Sequence, residues 1–206
     1  MLHFRRRALA GALAGTALLL TGCAVPGQPG AAGVAAELDG EALTNSRVSD
    51  LSEAWSSQIG APADRRQVIT VELMRQALLE ETDQVDFDYT RSVSRMQAEG
   101  LLEANGVTGE PSEDVIDAIE GALLIAAFTV LTEDSSVIQS VAQQVEASAV
   151  TNSRTGTFDA DAFMDSLAET AVTATTAAQQ GQPTWFLQFN DVVGLVDAGS
   201  PWIVSE

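Results

Sequence analysis

The sequence predicts a mainly helical domain opened by a short β-hairpin or strand pair. Apolar residues recur at steps of three and four through most of the chain, and an Asp-Gly pair sits between two short apolar segments near its start. With 206 residues, 46% of them hydrophobic, the chain is long enough to bury one ordinary core. Val34-Ala35-Ala36-Glu37-Leu38 and Glu41-Ala42-Leu43 flank the Asp39-Gly40 turn, where glycine accepts positive φ. Thr44 then caps a helix over about 45–59, with Val48, Leu51, Trp55 and Ile59 on one stripe. Gly60-Ala61-Pro62 ends it. A second helix, about 63–82, has a wide apolar arc that includes Val68, Ile69, Leu73, Met74 and Leu78, so it belongs between neighbours.

A third helix, about 87–104, carries Tyr89, Val93, Met96 and Leu101 and stops at Asn105-Gly106. Ser112 caps a fourth, with Glu113 and Asp114 at the positive end of its dipole. The apolar run at 121–131 is too short to span a bilayer and reads as a central core helix. Another helix restarts at 132–134 with Val137, Ile138, Val141 and Val145. The stretch 151–159 is a polar turn with a short strand expected on either side. Asp159 caps a last helix holding Phe163, Met164 and Leu167. Residues 171–184 read as a linker, and 185–206 as an apolar C-terminal segment. That segment either packs back on the helical domain, taken as 34–170, or docks on a partner or membrane interface through Trp185, Phe186, Phe189 and Trp202; the sequence leaves both open.

The amino terminus reads as an address and an anchor. Residues 1–7 hold three of the ten basic residues, and residues 8–20 form an apolar run of signal-peptide length. Leu20-Thr21-Gly22-Cys23 resembles a bacterial lipobox, which implies cleavage after residue 22 and a diacylglyceryl and acyl anchor on Cys23. Residues 23–33, with Pro26, Pro29, Gly27, Gly30 and Gly33, form a flexible tether. Arg6-Arg7 lacks the usual flanks of a twin-arginine signal, so the export route stays open. The expected location is the outer face of the cell membrane.

Composition excludes more than it assigns. All ten basic residues are arginine against 29 acids, a net charge of −19, and such a surface repels nucleic acid. Beyond residue 23 there is no histidine, lysine or cysteine, which removes Ser-His-Asp and Cys-His catalysis, Schiff-base lysines, P-loops and ordinary zinc sites. Asp83, Asp86 and Asp88, and Asp159, Asp161 and Asp165, are carboxylate clusters without the glycine and closing glutamate of an EF-hand; they read as a solvated junction and a helix cap. No enzyme, metal or cofactor is expected.

Residues 36–48, Ala-Glu-Leu-Asp-Gly-Glu-Ala-Leu-Thr-Asn-Ser-Arg-Val, resemble the start of the SurA N-terminal domain of the SurA and PrsA chaperones. Asp39 and Gly40 match the turn, Leu43 the buried residue, Thr44 the cap and Val48 the first core residue of the helix. Arg47 departs from the pattern, which has an acid there. Placed after a lipobox, the motif is similar to SurA N-terminal-like lipoproteins of high-GC Gram-positive bacteria, in which a segment like 152–159 follows the long helices. The resemblance implies an ATP-independent, chaperone-like domain that holds unfolded or exported polypeptides, without a parvulin module. Trp55, Met74, Tyr89 and Met96 are its candidate groove residues, since large or flexible side chains suit promiscuous contact. The alternatives are a non-catalytic accessory subunit of an envelope complex and a small-ligand-binding lipoprotein.

Overall fold

The computed structural model describes residues 31–82, 90–130, 136–152, 154–180 and 192–197. The chain opens with β1 (Val34–Leu38) and β2 (Glu41–Thr44), joined by Asp39 and Gly40. Both turn residues have positive φ, 50° and 86°, as a two-residue turn between twisted strands requires. Leu38 pairs with Glu41, Glu37 with Ala42 and Ala36 with Leu43. The strand pair is part of a three-stranded sheet in the order β2-β1-β3, with β3 (Val150–Thr151) on the far side of β1.

Among the described residues six helices follow the hairpin: α1 (Asn45–Ile59), α2 (Arg65–Glu81), α3 (Arg91–Ala104), α4 (Glu113–Val130), α5 (Ser136–Ser148) and α6 (Ala160–Gln179). The expected caps hold α1, α4 and α6. Thr44 accepts from the Arg47 backbone N–H at 3.1 Å, and Gly60 ends α1 in the left-handed region at φ 76°. Asp64, a cap not named from the sequence, accepts from the Arg66 N–H, so α2 starts at Arg65 and not at about 63. Ser112 receives the Val115 N–H, and Asp159 the Ala162 N–H at 2.8 Å, which makes Asp159 a cap. The carboxylate cluster at Asp83, Asp86 and Asp88, read as a solvated junction, and Tyr89 lie outside the described residues.

Helix α4 is the central core element that its apolar run predicts. It packs against α1, α2, α3 and α5, and Val115, Ile116, Leu124, Ile125 and Phe128 are completely buried. Gly121 permits its close approach to α2, because a Cβ there would stand 2.6 Å from Val71 Cγ1.

One expectation needs correction. Residues 171–179 of the expected linker are helical, because α6 continues to Gln179. Its threonines return hydroxyl bonds to the helix backbone, Thr173 to the Glu169 carbonyl and Thr176 to that of Val172, and alanine is the strongest helix former. The short strands expected on either side of the turn at 151–159 are β3 and β4 (Thr157–Phe158), and β4 pairs antiparallel with β5 (Leu195–Val196), a partner that the sequence did not indicate. Residues 192–197 are strapped to the domain. Gly194 donates its N–H to Thr70 and accepts from the Asp159 N–H at 2.8 Å, Arg66 binds Asp197 at 2.5 Å, and Val192 and Leu195 enter the core. This part of the C-terminal segment is used inside the fold. Trp185, Phe186, Phe189 and Trp202 lie outside the described residues.

Overpacking and helix propensity give opposite outcomes at two helical glycines. Gly121→Ala is expected to destabilise by about 1–3 kcal/mol, since Val71 and the α2 backbone stand in the way. Gly100→Ala, where a Cβ meets nothing within 4 Å, is expected to stabilise by up to about 1 kcal/mol. Urea unfolding midpoints of the two variants measure both.

Candidate functional site

The polar chemistry of the fold gathers on one side of α4. Glu113, Asp114, Asp117 and Glu120 recur at helical spacing, and arginines from three other helices grip them. Arg47 of α1 binds Asp114 and Asp117. Arg91 of α3 reaches Glu113 at 2.9 Å, Asp117 at 2.6 Å and Glu120 at 3.3 Å, and Arg95 reaches Glu113 at 2.6 Å. Arg75 of α2 places its Nε and Nη2 on the two carboxylate oxygens of Glu72, at 3.1 and 3.2 Å, and its Nη1 on Glu120 at 2.7 Å. Glu72 and Glu120 are buried, so this end of the network is shielded from solvent.

The electrostatics follow from these contacts. Burial opposes the charge on Arg75, but Glu72, Asp117 and Glu120 outweigh it and raise its pKa. Hydrogen bonds to Glu113 and Asp117 raise that of Arg91. Arg91 and then Arg95 hold the Glu113 carboxyl below the usual carboxylate range. Arg47, the departure from the SurA-like pattern, thus has acidic partners across the helix interface.

Beside this network lies an open cleft of about 430 Å³ between β2 and α2. Leu43, Leu73 and Leu79 provide its apolar surface, and Glu41, Glu72, Gln76 and Glu80 its polar one, with Arg47 and Arg75 also bordering it. Its size falls within the range of ligand pockets. Glu41 and Glu80 are exposed, and Gln76 donates to the Glu41 carboxylate at 2.9 Å. Strand β2 is the edge of its sheet, with β1 as its neighbour among the described residues.

The candidate groove residues do not come together here. Trp55 is 1% exposed and Met74 0%, so both are core residues closed to any client in this conformation. Their stripes face the helix bundle, where α1 and α2 each meet α4. Met96 is 59% exposed on α3 and is not one of the residues that line the cleft. Cys23 lies outside the described residues. Among those described, no group of three or more acids, histidines or cysteines is placed to hold a metal ion, and no helix is long and apolar enough to cross a membrane.

Sequence reasoning missed both the network and the cleft. The acids of α4 repeat visibly, but their arginines stand up to 70 positions away and are spread over three other helices. No family model, curated protein or solved structure matches the chain. The resemblance of residues 36–48 therefore stands on those residues alone.

Glu120→Ala is expected to cost about 3 kcal/mol or more, because it leaves part of a buried guanidinium pairing unmet, whereas Arg95→Ala, facing exposed Glu113, is expected to cost under about 1 kcal/mol. Since the folded pKa of Glu113 is depressed, its contribution is complete above the unfolded carboxylate pKa and is lost as pH falls through the folded value. Urea midpoints followed into acid should decline less steeply for Glu113→Gln than for the parent chain.

Proposed function

We propose that this chain is a lipid-anchored, extracytoplasmic and non-catalytic domain that holds polypeptide segments in a chaperone-like manner, without ATP. The observation that carries this reading is the cleft between β2 and α2, where leucine surface sits beside a sheet edge and an acidic rim. An open edge strand is a general means of receiving an extended chain, because backbone bonding tolerates many sequences. The hairpin, turn, cap and helix at 36–48 support it through their likeness to SurA-type chaperones. The lipobox-like tetrad at Cys23 supports the anchor, and residues 23–33 supply a tether that lets an acidic domain stand away from anionic headgroups.

The groove of this reading differs from the one expected first. Trp55 and Met74 serve the core, and the contact surface moves to Leu43 and Leu79, which are partly buried and packed against that core.

Two measurements test the reading. The full chain in neutral detergent, at stoichiometric ratio, is expected to suppress aggregation of a thermally unfolding client, and Leu43→Asp with Leu79→Asp to lose that suppression while keeping a cooperative unfolding transition. Absence of suppression at several-fold excess overturns it. Cys23→Ala is expected to move the chain out of the membrane fraction in a bacterial host that performs lipoprotein processing.

A further inference from the structure

We propose that β2 and its cleft select an extended polypeptide segment with alternating apolar and basic side chains, which joins the sheet as a fourth strand beside β2. This deepens the polypeptide-holding reading and rests on it.

The backbone geometry comes first. In the order β2-β1-β3 the outer side of β2 is open among the described residues. Leu38 and Glu41 flank a two-residue turn, so they form the hydrogen-bonded pair, and the next pair, Glu37 and Ala42, is the non-bonded one. The alternation turns the N–H and C=O of Ala42 away from β1, toward an incoming strand. Side chains alternate in the same way. Glu41 and Leu43 share one face of β2, the face that meets α2 through Gln76. An added strand therefore projects every second side chain over Leu43, Leu79, Glu41 and Glu80.

Charge then chooses among extended chains. The cations bordering the cleft are already paired: Arg47 with Asp114 and Asp117, Arg75 with Glu72 and Glu120. The exposed acids Glu41 and Glu80 have no ion-pair partner among the described residues, and Glu41 receives a neutral amide from Gln76. An apolar residue over Leu43 and Leu79, with a basic residue two positions away, satisfies both parts of the surface. An acidic segment meets like charge, in a chain whose net charge is already −19.

The test uses the full chain in a neutral, zwitterionic detergent and fluorescence anisotropy of three labelled ten-residue peptides. The first alternates Val and Lys along one face with Thr on the other; the second replaces Lys by Glu; the third is the first N-methylated at alternate backbone amides. The Lys peptide is expected to bind, the Glu peptide to bind about tenfold or more weakly, and the methylated peptide to lose binding. Glu41→Gln with Glu80→Gln should erase the preference for Lys over Glu. Ala42→Pro, which removes an outward N–H, should reduce binding of the Lys peptide with the unfolding midpoint retained. If that variant fails to fold, the methylated peptide decides the same point. Equal binding of the Lys and Glu peptides, or indifference to methylation, overturns the inference. Where such indifference accompanies intact aggregation suppression, clients are held elsewhere and the broader reading survives; where suppression is absent too, both fall.

Discussion

Everything in this fold leans on α4. Its apolar residues fill the centre of the core, and its four acids tie α1, α2 and α3 to one another through arginine. The two roles differ in kind. Burial of side chains such as Ile116, Leu124 and Phe128 supplies the larger stabilisation, at about 1.5–3 kcal/mol for each fully buried large aliphatic or aromatic group. The ion pairs add less, because desolvating a guanidinium and a carboxylate offsets much of their attraction. Their geometry is demanding, however, so they favour one rotation and one register of the four helices over others that bury equal apolar area. A chain with seven arginines beyond residue 23 places four of them in this one network.

That allocation shapes the surface beside it. Since Arg47 and Arg75 turn toward α4, the cleft between α2 and β2 keeps an acidic rim over its leucines. The sheet edge is held in place from the other side. Asn152 donates to the Val34 carbonyl at 3.1 Å and Thr155 to that of Ala35 at 2.9 Å, so the turn after β3 clamps β1 and leaves β2 outermost among the described residues. Residues 192–197 bond to α2 and α6 through Thr70 and Ser166. The same helix α2 thus meets the strap near its start and the cleft near its end.

How much of this was legible depended on how local its cause is. The Asp39-Gly40 turn, the Thr44 and Ser112 caps and the Gly60 stop act within four residues, and the structure places them as the sequence implied. The extent of α6 was hidden because Thr and Ala at 173–178 look like linker composition, although alanine favours helix and threonine can bond back to it. The polar turn at 151–159 pointed to β3 and β4 on either side of it, whereas β5, two residues long, carries no alternation to read. Trp55 and Met74 looked suited to contact because of their size and flexibility, yet the stripes they occupy are the buried ones. The network and cleft are tertiary: residues 67 and 70 positions apart have no signature until the helices dock.

The most direct test of the account is hydrogen–deuterium exchange of the full chain with and without an unfolded client polypeptide. It predicts slower exchange in β2 and along the cleft-facing end of α2 when the client is present, with α4 unchanged. Unchanged exchange in β2, with protection confined to other segments, would contradict it.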